Sequence, residues 1–151
     1  MATITIEDRA YSGLPNKLVS TANGVDYAYR DTGGEGGVPL VLLQHFRGNL
    51  DNWDPALIDA LASARRVVTF DNAGVGGSSG TTPDTIEQMA RDAIAFLAAM
   101  EFSQVDLLGY LLAGLIPRAQ VKIYPDSAHG FLFQHNAEFA ADVEAFLSDS
   151  R

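Results

Sequence analysis

Three histidines, His45, His129 and His135, and no cysteine define the chemistry open to this chain. The missing thiol removes cysteine nucleophiles, disulfide frameworks, CxxC redox exchange and thiolate zinc sites together. Hydroxyl and imidazole chemistry remain. Ser127 lies two residues before His129, a spacing that points both side chains the same way on extended backbone, with a local loop hydrogen bond as the other reading. Asp126 would orient His129 only where the backbone folds back. Asp71 closes a short β-branched run, at a strand C-terminus where active-site groups gather in parallel α/β sheets; capping the turn that follows is its plainer role. That turn, Asn72 to Gly80, is a glycine-rich loop between a strand and a helix. A nucleotide-binding module is a remote alternative, because Ser79 stands where the third glycine of GxGxxG belongs and the loop comes late in the chain. No histidine has a ligand-like spacing to carboxylates, so neither metal nor cofactor is expected.

The elements that must position these groups follow from periodicity. Residues 17–31 form two short alternating runs around Asn23-Gly24, the dipeptide of a two-residue type I′ hairpin. Val38 to Leu43 is a continuous apolar run, the mark of a strand covered on both faces. Asp54-Pro55 supplies an N-cap and a first-turn proline, Trp53 and Ile58 are placed as a hydrophobic staple, and Leu57, Ile58 and Leu61 form the buried stripe. Arg66 to Asp71 is the next strand. A second helix is expected from about Asp84, with Asp84 and Glu87 as a capping-box-like pair and an apolar face of Ile86, Met89, Ala90, Ala93, Ile94, Leu97 and Met100. Val105 to Gly109 and Ala119 to Tyr124 are further strands, and a helix from about Asn136 carries Phe139, Val143, Phe146 and Leu147 on one face. This order predicts a single three-layer α/β domain over 1–151, with a mostly parallel sheet and an antiparallel N-terminal hairpin.

The charge of -9, from ten Lys+Arg against nineteen Asp+Glu, speaks against nucleic acid and anionic membrane surfaces as partners. No apolar run approaches the roughly 20 residues that span a bilayer, and the first residues lack a basic leader, so a cytoplasmic location is expected.

Three motifs in order resemble the α/β-hydrolase fold superfamily. Gln44-His45-Phe46-Arg47-Gly48 is similar to its oxyanion loop of His-Gly-Phe-x-Gly type, with His45 where the family usually has glycine. Asp71, Gly74, Gly76 and Ser78 match its Asp-x-x-Gly-x-Gly-x-Ser turn, which gives Ser78 a structural place. Ser127-Ala128-His129-Gly130-Phe131 looks like its histidine loop. The resemblance implies His129 as general base and the Phe46 backbone N–H as one oxyanion donor, with Leu112 supplying the second. It breaks at the nucleophile elbow, Gly-x-Ser-x-Gly. After Val105 to Leu108 the chain reads Gly109-Tyr110-Leu111-Leu112-Ala113-Gly114, which puts Leu111 at the serine position.

The resemblance therefore implies a shortened hydrolase, an engineered or truncated form, whose internal deletion has its junction near 110–116. The cap and the acidic triad member are missing from it. The expected activity is weak hydrolysis of small esters, and the alternative is an inactive scaffold. Removing later strands leaves an open sheet edge, and the link Tyr110 to Arg118 is short for a parallel crossover. A homodimer or higher oligomer follows as an expectation, with exchange of the C-terminal strand and helix as one form of it.

Overall fold

The hairpin that opens the sheet differs from the expected two-residue turn. In the computed structural model, which describes residues 10–34, 37–109 and 134–149, β1 (Lys17–Ser20) and β2 (Asp26–Asp31) pair antiparallel with Ser20 opposite Asp26. Thr21 N–H donates to the Val25 carbonyl at 3.1 Å, and Gly24, at φ 82°, alone carries the positive dihedral. A type I′ turn needs positive φ at both central residues. Asn23 instead spends its side chain locally, its Oδ1 accepting from the Val25 N–H at 3.2 Å and from the Thr21 hydroxyl.

Three parallel strands follow, β3 (Leu40–Leu43), β4 (Val67–Phe70) and β5 (Asp106–Gly109). The sheet order is β1-β2-β4-β3-β5, with β2 antiparallel to β4 and β3 parallel to both β4 and β5. Four of the five strands thus share one direction. The sheet is mixed at the hairpin end and parallel at the other, as expected. The strand expected over Ala119 to Tyr124 lies outside the described residues.

Successive side chains of β3 and β4 enter opposite layers, which gives the three-layer form. Leu40, Leu42 and Val67 pack with α1 (Pro55–Ala62) and α3 (Asn136–Asp149), in a core that includes Trp53, Leu57, Leu61, Val143 and Leu147. Val41, Val68 and Phe70 pack on the other side with Tyr27 and with Phe96 of α2 (Ile86–Ala99). The Phe70 and Phe96 rings stack with centroids 4.2 Å apart.

Helix α1 begins as its sequence predicts, with Asp54 capping the Ala56 N–H at 3.1 Å and Pro55 in the first turn. Helix α2 does not. Its N-cap is Thr85, whose hydroxyl accepts from the Gln88 N–H at 3.2 Å, so the helix starts at Ile86 and Asp84 stays outside it. The buried face is rotated too: Phe96 is fully buried, whereas Ile94 is 65% exposed and Ile86 46%. The aromatic cluster with Tyr27 and Phe70 sets the rotation, because a buried ring removes more apolar area than an isoleucine. Across the far layer, Arg65 ties two elements, pairing with both carboxylate oxygens of Glu144 on α3 at 2.7 Å and with Asp106 on β5 at 3.0 Å.

Candidate active site

Between β3 and α1 the chain makes a tight turn at Phe46 and Arg47, directly after the C-terminal end of β3. Gly48 N–H donates to the His45 carbonyl at 2.8 Å and closes the turn. Gly48 lies on the stem of Gln44, where any Cβ would collide with the Gln44 side chain. Gln44 is 3% exposed, and its Oε1 accepts from the His45 N–H at 3.1 Å. Asn72 Nδ2, from the turn after β4, donates to the same His45 carbonyl at 3.0 Å.

The outgoing side of the loop is fixed equally. Leu50 N–H donates to Asp71 Oδ1 at 2.7 Å, and its carbonyl accepts from the Tyr11 hydroxyl at 2.7 Å. Burial pushes the Tyr11 phenol up, which keeps it a donor at neutral pH. The other Asp71 oxygen accepts from the Gly77 N–H at 2.8 Å, so one carboxylate joins this loop to the glycine turn. Gly76, at φ 56°, runs so close that a Cβ would strike that carboxylate. Burial raises the Asp71 carboxyl, against the pull of the Gly77 and Leu50 N–H groups. Its role is the plainer one of the two expected, extended to a second loop.

What the turn leaves open is its tip. Among the described residues the Phe46 N–H donates no hydrogen bond, and Phe46 is 50% exposed. The Arg47 guanidinium sits over its ring, 5.5 Å from the centroid. A fixed, unshared N–H at a strand C-terminus is the arrangement of an oxyanion donor.

His129, Ser127, Asp126, Leu111 and Leu112 lie outside the described residues, and with them the junction expected near 110–116. Ser78 is placed and fully occupied: its hydroxyl donates to the Asp71 carbonyl at 2.8 Å and accepts from the Ala28 N–H at 2.9 Å. The string Gly76-Gly77-Ser78-Ser79-Gly80 has the spacing of a nucleophile elbow, but no helix follows until Ile86 and the hydroxyl braces β2. Sequence reasoning placed Gln44 in the loop motif but missed Asn72 as part of the site, since an asparagine in a glycine-rich turn reads as a turn former.

A cleft of about 450 Å³ lined by Asn23, Thr82, Gln88 and Asp92 shares no residue with the Phe46 turn. Asp92 there is already held by Gln88 Nε2 at 2.8 Å. Among the described residues no three metal-ligating side chains group together, and no helix is long and apolar enough to cross a membrane.

Comparison with known proteins agrees with this fold. Residues 38–110 match the alpha/beta hydrolase fold family, a stretch that runs from β3 through β5 and contains both latched loops. A putative carbamate hydrolase from Rhizobium rhizogenes is 37% identical over 79 residues, 51% of this chain and 30% of the relative. A human serine hydrolase is 27% identical over 130 residues, 83% of this chain and 44% of the relative. The match therefore spans less than half the length of these relatives. Among solved structures, an alpha/beta hydrolase fold protein from Chitinophaga pinensis superposes with a TM-score of 0.63 at 43% identity, covering 66% of this chain and 36% of that one. By its sheet order, its matched residues and these relatives, the chain belongs to the α/β-hydrolase fold superfamily.

Proposed function

We propose that this chain hydrolyses small activated esters slowly, in the cytoplasm and without a cofactor, and that it does so without a serine nucleophile. The observation that carries this reading is the Phe46 turn, held on both sides with its amide unshared among the described residues. Leu111, at the position that the family motif gives to serine, has no nucleophilic atom. The attacking group is then water. His129 takes a proton from it, the water oxygen bonds to the acyl carbon, and the carbonyl π pair moves onto the oxygen facing the Phe46 N–H. Collapse breaks the bond to the leaving alkoxide or phenolate, which takes the proton back from His129, and releases the acid. The names of the relatives, a carbamate hydrolase and a serine hydrolase, support acyl transfer to water as the class.

The magnitude expected is modest. General base catalysis contributes about 10²–10⁴ and one oxyanion donor about 10²–10³ in rate, while the covalent step of the full triad is absent. The test is p-nitrophenyl acetate hydrolysis by the chain and by His129→Ala, against free imidazole at matched concentration. A rate above imidazole that drops in the variant is the expected result. Equal rates near the imidazole background refute the proposal and leave the second reading, an inactive scaffold, which the leucine at the elbow position favours. The same proposal includes pairing of two copies through the sheet edge at β5.

A further inference from the structure

We propose that Asn72 is a positioning residue that holds the His45–Phe46 peptide in the one orientation in which the Phe46 N–H can donate to a developing oxyanion. The inference rests on the ester-hydrolysis reading for its chemical meaning and on the geometry of the turn for its substance. A trans peptide is planar, so its C=O and N–H point in opposite directions, and fixing one fixes the other. The peptide bonds of the described residues are all trans. The His45 carbonyl is fixed twice, by the Gly48 N–H at 2.8 Å and by Asn72 Nδ2 at 3.0 Å. The first of these bonds belongs to the turn itself, and roughly a third to a half of such turns do without it. The second comes from outside the turn and exists in one orientation only.

Asn72 is well placed to act as such a clamp. It is 8% exposed, and its own carbonyl accepts from the Val75 N–H at 3.1 Å, which seats its backbone in the glycine turn. Its neighbour Asp71 binds the same loop five residues further on, at Leu50. The two adjacent residues therefore grip the loop at two points, with distinct jobs: Asp71 fixes where the loop leaves, and Asn72 fixes which way the donor peptide faces. A donor already aimed needs no reorganisation as charge develops, which is the source of its rate effect.

The experiment is amide NMR with kinetics on Asn72→Ala and the isosteric Asn72→Asp, which keeps the volume and loses the donor. In the unmodified chain the Phe46 amide gives one sharp resonance. In either variant it broadens through peptide exchange on the microsecond to millisecond scale, read by relaxation dispersion. The Leu50 amide, held by Asp71, stays sharp, and the fluorescence of Trp53, the one tryptophan, stays as in the unmodified chain. The value of kcat for p-nitrophenyl acetate falls about tenfold or more while KM moves less than about twofold, since the contact is made in the transition state. A Phe46 amide that stays sharp in both variants overturns the assignment. Broadening of Phe46 and Leu50 together overturns it as well, because it shows a loop brace without orienting function. An unmodified chain no faster than imidazole refutes the ester-hydrolysis reading alone, and the Phe46 resonance then decides the orienting role by itself.

Discussion

Serine 78 illustrates how far a residue's type is from its role. Its position in Gly76-Gly77-Ser78-Ser79-Gly80 offers the spacing of a catalytic serine, yet both hydrogen-bonding functions of the hydroxyl are spent between β2 and the turn after β4. Removing it orphans the Ala28 N–H in a partly buried site, which costs about 1–2 kcal/mol. Ser78→Ala is therefore expected to lower the unfolding midpoint in urea and to leave ester hydrolysis by the folded protein within about twofold of the unmodified chain. Loss of hydrolysis at unchanged stability would make Ser78 the nucleophile and overturn its structural assignment. Phe46 stands at the opposite pole. In the proposed reaction its backbone amide and not its ring takes part, a role that any residue at that turn position could fill.

At the scale of elements, the joint between β2 and β4 gives the clearest pH dependence. Arg66 grips both oxygens of Asp31, at 2.9 and 2.6 Å, and the Gly33 N–H adds a third bond at 2.9 Å. Burial works to raise this carboxyl, but the Arg66 and Gly33 bonds and the Lys17 charge together bring it below its ordinary value of 3.8. A carboxyl lowered on folding contributes stability that is present above the unfolded pKa and is lost as pH falls through the folded one. Asp31→Asn is expected to lose about 2 kcal/mol at neutral pH and to show a flatter stability profile below about pH 4. Urea unfolding followed by Trp53 fluorescence across that range checks it; parallel profiles for the two proteins would refute the assignment. Much of this layer was legible beforehand. The order of strands and helices, the Asp54-Pro55 start of α1 and the glycine turn at Asp71 all rest on local chemistry that the sequence spells out. What was not legible depended on contacts between distant residues. The rotation of α2 follows from Phe96 meeting Phe70 and Tyr27, and the hairpin loop type from Asn23 using its side chain on Val25 rather than taking positive φ. The clamp at Asn72 escaped notice because its partner, the His45 carbonyl, is a backbone atom and leaves no mark on the sequence.

For the whole molecule the open question of architecture is the β5 edge. Among the described residues β5 pairs with β3 and is the last strand of the sheet. Proteins guard such edges with charge, proline, bulges or covering segments. The strand Asp106-Leu107-Leu108-Gly109 carries one charge, and Arg65 neutralises it at 3.0 Å. Leu107, opposite Val41 in register, is on the α2 side of the sheet and 52% exposed. The half-exposed leucine on this last described strand is the basis for expecting strand addition by a second copy, and an isologous pairing closes at two. The charge of -9 on each chain opposes that pairing. Raising salt shortens the Debye length from about 10 Å at 0.1 M to about 3 Å at 1 M and weakens the opposition. The prediction has two parts that must hold together. Light scattering at micromolar concentration gives twice the chain mass, with a dimer fraction that rises with salt, and Leu107→Lys shifts the population to monomer while the Trp53 emission stays that of a folded chain. A monodisperse monomer at high salt would remove the edge as an interface; a dimer insensitive to Leu107→Lys would move the interface elsewhere on the molecule.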